Sequence, residues 1–440
     1  MNVLHYSNRH EDQDYILHCM AIPQVLSAIR RRLLSSPIFP TLKRLVIIIV
    51  QPRPWLEDLL PCIPSASTLQ ILSFEYHARY WYPSRILDFV SRLSEITPAI
   101  LYLKLKLYAR LDGPGIDLFM NSNCHANLHF LNIDCPHLSS LSLSRIADFP
   151  SLKHLKVRLE KSVDHQFYSS STLLLPHLEK LNLTATEAIL AVKFFQCISI
   201  GGLPQVTHIT IYISQTPPLQ WELSKIGCQI HDLCSSTSLK HLEISSSLAY
   251  PSMPDQPTYN IQSFLPLIND FSLTNLTISI QRLLSSPCPR DISKMASSWA
   301  NLIAIKIDPG CLTHSNRLEA ISICHLNPFI HTCKRLRQLY IPFKHVLSEQ
   351  LPPGIHAECL SDLGLGYMIP GSNDASIVGR WLRIVAPRLL EIALVDAEGE
   401  VMIHNIGELL QTDKDVEEDS DDLDYTHTSD EEHASDEDQE

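Results

Sequence analysis

The chain has 440 residues, 45% hydrophobic and 19% charged, with a formal net charge of −13. That apolar share is ordinary for a globular protein and supplies a large core, while no run of about 20 apolar residues exists, which excludes a transmembrane helix. The acidity is concentrated: residues 413–440 hold fifteen acidic residues and one lysine, a local balance of −14, so the rest of the chain sums to about +1.

From the N-terminus, Met1–Arg9 lacks the basic-then-apolar pattern of a signal peptide. The twelve cysteines are scattered and none forms Cys-x-x-Cys. They are expected to be reduced, core-filling thiols in the cytoplasm or nucleus. Two glycosylation sequons, at Asn182 and Asn275, are expected to be unused. Residues 1–36 read as an N-terminal helical cap: Tyr15, Ile16, Cys19, Ile22, Leu26 and Ile29 form an apolar stripe that ends at Arg30–Arg32. Three arginines at a helix end are favourable C-terminal charge; a nuclear signal is the alternative reading.

Residues 37–396 carry the dominant signal. An aliphatic residue is followed three positions on by a second and five positions on by a third, fourteen times, starting at Leu42, Leu69, Ile100, Leu128, Leu138, Leu152, Leu178, Val206, Leu239, Leu273, Leu302, Leu336, Leu360 and Leu389. In Leu152-Lys-His-Leu-Lys-Val157 the last positions alternate: Leu155 and Val157 point one way, His154, Lys156 and Arg158 the other, as in a short strand with one buried face. One such strand cannot bury its apolar face alone, and stacked copies build a parallel sheet. The fold class is therefore an α/β repeat, a leucine-rich-repeat solenoid with a curved, mostly parallel sheet. Helices and irregular segments cover its convex side. Ser84–Ile96, Thr186–Cys197, Gln220–Cys234 and Ala375–Val385 read as convex helices. Leu128, Leu138 and Leu152 start too close together for full repeats, so the Leu138 or the Leu128 copy is expected to be a tight strand–turn–strand without a helix.

Outward strand positions cluster basic and aromatic residues between the third and eighth copies. The candidate partner-binding patch on the concave face is Tyr102, Lys104, Lys106, Phe130, His154, Lys156, Arg158, Lys180, His208 and Tyr212. Tyr, Phe and Arg are residue types that anchor interfaces, so the expected partner is a protein ligand. Neither a membrane nor a nucleic acid is expected. Residues 397–412 read as a C-terminal cap segment. Residues 413–440 read as a disordered acidic tail, where Thr428, Ser429 and Ser435 each precede an acidic residue by three positions and are weak phosphorylation candidates.

Other motifs give little chemistry. Cys124, His125, His129, Asp134, Cys135 and His137 suit zinc by composition, but their spacing is not that of a finger and repeat-core positions separate them. No metal or cofactor is expected. Gly364 and Gly366 lack the third glycine of a nucleotide loop. No catalytic constellation exists, and the chain reads as a non-enzyme.

The segments Ile38-Phe-Pro-Thr-Leu-Lys-Arg-Leu45, Phe149-Pro-Ser-Leu-Lys-His-Leu155 and Leu175-Pro-His-Leu-Glu-Lys-Leu181 resemble the fungal F-box/leucine-rich-repeat proteins, over about residues 22 to 396. The resemblance implies a substrate receptor of a cullin–RING ubiquitin ligase, with the repeats holding the substrate and F-box helices gripping the ligase's adaptor subunit. Residues 1–36 lack the Leu-Pro-x-Glu-Ile/Leu-like opening of an F-box. An adaptor partner is therefore expected only if an F-box lies upstream, and a derivative lacking the module is the other form of this reading. The long acidic tail is similar instead to that of the acidic leucine-rich nuclear phosphoproteins, which implies binding to basic proteins such as histones.

Overall fold

The computed structural model describes residues 43–49, 69–76, 92, 100–107, 126–135, 140–160, 173–216, 218–246, 271–280, 289–308, 321–322, 327–341, 343–344, 357–367, 386–395 and 401–405. Among them, thirteen strands stack in parallel in strict chain order: β1 (Arg44–Ile49), β2 (Ile71–Tyr76), β3 (Tyr102–Leu107), β4 (Phe130–Asp134), β5 (His154–Leu159), β6 (Lys180–Ala185), β7 (His208–Ile213), β8 (His241–Ser246), β9 (Asn275–Ser279), β10 (Ala304–Asp308), β12 (Gln338–Tyr340), β14 (Asp362–Tyr367) and β15 (Glu391–Val395). A fourteenth, β16 (Val401–Asn405), pairs antiparallel with β15 and ends the sheet. β11 (Ile321–Ser322) and β13 (Phe343–Lys344) pair apart from it. The molecule is a leucine-rich-repeat solenoid, and every copy but that at Leu138 begins one of the parallel strands.

The Leu138 copy is corrected. Leu141 and Leu143 lie not in a strand but in helix α1 (Ser140–Ala147), between β4 and β5. Leu143 and Ile146 are buried and three apart, which is helical spacing. Neither that copy nor the Leu128 copy, which is β4, forms a strand–turn–strand. The other described helices are α2 (Ala188–Gln196), α3 (Gln220–Leu233), α4 (Pro289–Ser298) and α5 (Asn327–Thr332). α2 and α3 fall inside two of the four expected helical stretches, whereas Ala375–Val385 and all of Ser84–Ile96 but Arg92 lie outside the described residues. The N-terminal cap, Arg30–Arg32 and the acidic tail with Thr428, Ser429 and Ser435 also lie outside them.

Local chemistry sets each turn into the sheet. The N–H of the first repeat residue bonds to the carbonyl three residues back in Phe149–Leu152, Leu175–Leu178, Leu203–Val206, Ala357–Leu360 and Ala386–Leu389. Proline follows the acceptor in four of these, as Pro150, Pro176, Pro204 and Pro387, where its fixed φ suits the second position of a turn. The chain then enters the strand along a shared-carbonyl ladder. Lys153 O accepts the N–H groups of Glu179 (2.7 Å) and Lys180 (3.0 Å), and Thr207 O those of Lys240 and His241 (both 2.9 Å). The same pattern runs from Lys43 to Arg337. It fixes the register, so each side chain stands beside its counterpart in the next repeat.

The core is one continuous column. The first repeat positions Leu128, Leu178, Val206 and Leu239 are 0% exposed, as are Leu131, Leu181, Ile211 and Ile244 within the strands. Each buried aliphatic side chain contributes about 1.5–3 kcal/mol. Helices pack behind the sheet at a wider spacing than the ~4.8 Å between strands, which curves the sheet with its strands inside. α3 buries Leu223, Ile226, Gly227, Ile230 and Leu233 and packs on α2. At its start Glu222, only 7% exposed, accepts the N–H of Leu219 at 2.7 Å. Burial raises the Glu222 carboxyl pKa, and Glu187 adds to the rise. A raised folded-state pKa means that ionised Glu222 costs stability near neutral pH. Glu222→Gln keeps an acceptor oxygen and is expected to match or exceed the parent's melting temperature at pH 7, an advantage that vanishes below pH ~4.5. Glu222→Ala loses the cap and about 1 kcal/mol. Thermal melts of the two variants check both statements.

Candidate functional site

Alternation along the strands puts the ten candidate residues on one face, and the register sorts them into three rows. The first row runs Tyr102, Phe130, His154, Lys180, His208, His241 across six consecutive strands, about 24 Å at ordinary strand spacing. It is a ladder of rings. Tyr102 stacks on Phe130 with centroids 4.2 Å apart, Phe130 meets His154 edge-on at 5.9 Å, and His208 stacks on His241 at 4.0 Å. Lys180 interrupts the rings between His154 and His208.

The third row is an alternating charge ladder: Glu75, Lys106, Asp134 and Arg158 follow one another in register. Arg158 bonds to Asp134 at 3.3 Å and to Glu160 at 2.9 Å. Lys104, from the second row, reaches diagonally to Glu75. The sequence groups Lys104, Lys106 and Arg158 with the other cations as one basic patch. The register instead sets these three against carboxylates, each half-exposed pair contributing about 0–1 kcal/mol. Lys156 and Lys180 differ, since neither side chain makes a hydrogen bond or ion pair among the described residues. Both are exposed and sit on adjacent strands. Tyr212, 37% exposed, stands apart from the ring ladder, in register with Thr184 and Ser245.

The three imidazoles share one electrostatic fate. Desolvation lowers the pKa of His154, His208 and His241, and Lys180 lowers each further; His241 also lowers that of His208. The folded-state values therefore lie below the unfolded value of 6.5. Below pH 6.5 the unfolded chain binds more protons, so stability falls as pH drops through that window. The melting temperature is expected to decrease between pH 7.5 and 5.5. The decrease should be smaller in a variant with glutamine at all three positions, and differential scanning calorimetry at the two pH values reads it.

The zinc-like cluster is taken apart by the fold. Asp134 faces outward to Arg158, while Cys135 is 1% exposed in the core with its thiol pKa strongly raised by burial. His129 bonds to Asn127 O at 2.7 Å, and Cys124, His125 and His137 lie outside the described residues. Gly364 has a packing role: a Cβ there would stand 2.2 Å from the Tyr340 ring, which covers it from the neighbouring strand. Sequence reasoning missed His241 as part of the site. Its outward position is legible, but its stacking on His208, 33 residues earlier, requires the register. No protein-family model matches this chain, and no curated protein matches it either.

Proposed function

We propose that this protein is a recognition scaffold that binds a protein ligand on the concave strand face of β3 to β8. The observation that carries the reading is the ring ladder Tyr102–His241 beside Lys156 and Lys180, which have no ion-pair partners among the described residues. Rigid rings and desolvated neighbours offer contact area at low entropic cost. The finer reading is an F-box-type substrate receptor of a cullin–RING ubiquitin ligase, or a derivative without the F-box, acting in the cytoplasm or nucleus without catalysis of its own. It rests on the repeat texture of Phe149–Leu155 and Leu175–Leu181.

Site-specific photo-crosslinking in cells tests the scaffold reading. A photoreactive residue at Phe130, His154 or Lys180 is expected to trap one shared set of proteins, and one at the convex-side Lys294 is not. Equal trapping at both faces overturns it. The ligase connection is tested by titrating the full chain with the ligase's adaptor subunit, where a Kd above about 100 µM counts against it. A second reading follows from the −14 balance of residues 413–440, which suits basic proteins such as histones. It requires salt-sensitive histone binding that is lost when residues 413–440 are deleted.

A further inference from the structure

Lys156 and Lys180, whose side chains have no ion-pair partner among the described residues, have a spacing that selects a ligand. Lys156 lies beside Asn182 and Lys180 beside His154, so the lysines sit on neighbouring strands and two residues apart along them. Strand separation and rise place their Cα atoms about 8 Å apart. In an extended peptide, side chains that point the same way recur every two residues, about 7 Å apart. We propose that Lys156 and Lys180 seat two carboxylates, two residues apart, of an extended acidic peptide segment that crosses the concave face of β5 and β6. This deepens the scaffold reading above and rests on it.

The surroundings define the seat. On one side stand the rings of Phe130 and His154, and on the other the stacked pair His208 and His241. The carboxylates nearby are mostly occupied: Asp134 is held by Arg158, and Glu179 by Lys153 at 3.0 Å. Glu243, exposed on β8 in register with Thr210 and Thr277, has no such partner among the described residues and closes the seat to acidic ligands at that end. A ligand therefore runs from Lys180 towards β4 rather than towards β9.

The imidazoles make the seat sensitive to acid. His154 faces Phe130 of β4 and Lys180 of β6, with Lys156 and Arg158 on its own strand, Lys153 just before it and Glu179 near by. His208 faces Lys180 of β6 and His241 of β8, and bonds to the Thr207 hydroxyl at 2.7 Å. His241 faces His208 of β7 and Asn275 of β9, with Lys240 and Glu243 on its own segment. At neutral pH, Lys156 and Lys180 act among neutral rings. As pH falls, up to three further positive charges appear in the same row, and an aspartate-rich ligand stays ionised.

The test is fluorescence anisotropy with the full chain and a labelled twelve-residue peptide that alternates aspartate and serine. A peptide with the same residues in two blocks is the comparison. The alternating peptide is expected to bind at least fivefold more tightly. Lys156→Gln and Lys180→Gln should each weaken it fivefold or more, and lowering pH from 7.5 to 5.5 should tighten it about tenfold. Glutamine at His154, His208 and His241 together should flatten the pH profile. Lys294→Gln on the convex side is the charge control. Folded lysine variants that bind like the parent overturn the proposal, as does equal loss in Lys294→Gln, which would mark generic charge attraction. If concave crosslinks form but the peptide fails, the scaffold stands and only the ligand class falls; absence of concave crosslinks sinks both.

Discussion

Trp299→Ala is expected to cost about 3–5 kcal/mol, the usual penalty for truncating a fully buried aromatic. Trp299 is 1% exposed and joins three elements. Its N–H bonds to Met295 O at the end of α4, while its carbonyl accepts the Leu302 N–H at 2.9 Å and the Cys333 S–H at 3.3 Å. Repeats touch only their neighbours, so the loss should open β9 to β14 before it reaches β5. Hydrogen exchange resolves the two ends: uniform deprotection of all strands, or none, contradicts the expectation. Trp299→Phe sharpens the test. The indole Nε1 is buried without a hydrogen bond among the described residues, so the phenyl ring forfeits volume but no bond. It should cost well under half as much as alanine.

Leu181→Asp is expected to be still more disruptive, at about 4 kcal/mol or more, because it places a carboxylate without a partner where exposure is 0%. Leu181 lies in register between Leu155 and Ile209, in the middle of the sheet. A break there divides the solenoid, and limited proteolysis should release two large pieces. The adjacent Lys180→Asp points to solvent and should change stability by no more than about 0.5 kcal/mol. Equal effects at the two positions would mean that the strand is turned over.

That contrast also marks what the sequence makes legible. In-facing and out-facing positions of thirteen strands follow from the repeat spacing alone, because a two-residue period and a 0% exposed core allow one orientation. The Leu138 copy fails for a physical reason: Leu138 and Leu141 are three apart, and a helix uses that spacing as readily as the turn into a strand does. Only Ile146, continuing the three-residue step from Leu143, betrays the helix. β16 carries no repeat pattern, since it returns antiparallel, though Val401 and Ile403 alternate as a strand should. The candidate face was legible as a set of residues and not as a charge distribution. Whether Arg158 is neutralised depends on Asp134, 24 residues earlier, and only a shared carbonyl ladder brings such distant residues level.

The cysteines bring a further consequence. Cys135, Cys197, Cys234 and Cys333 are buried thiols placed between β4 and β12, one after β4 and one each at the ends of α2, α3 and α5. Burial raises the thiol pKa to about 11 at Cys197 and to about 12 at Cys234 and Cys333, so none reacts appreciably while its repeat stays closed. Cys228 and Cys359 are exposed. Among the described cysteines, native alkylation therefore starts with a fast pair and continues at four positions whose rates each time the opening of one segment of the stack. The protein carries its own set of local clocks, and the order in which they run out maps which end of the solenoid unzips first.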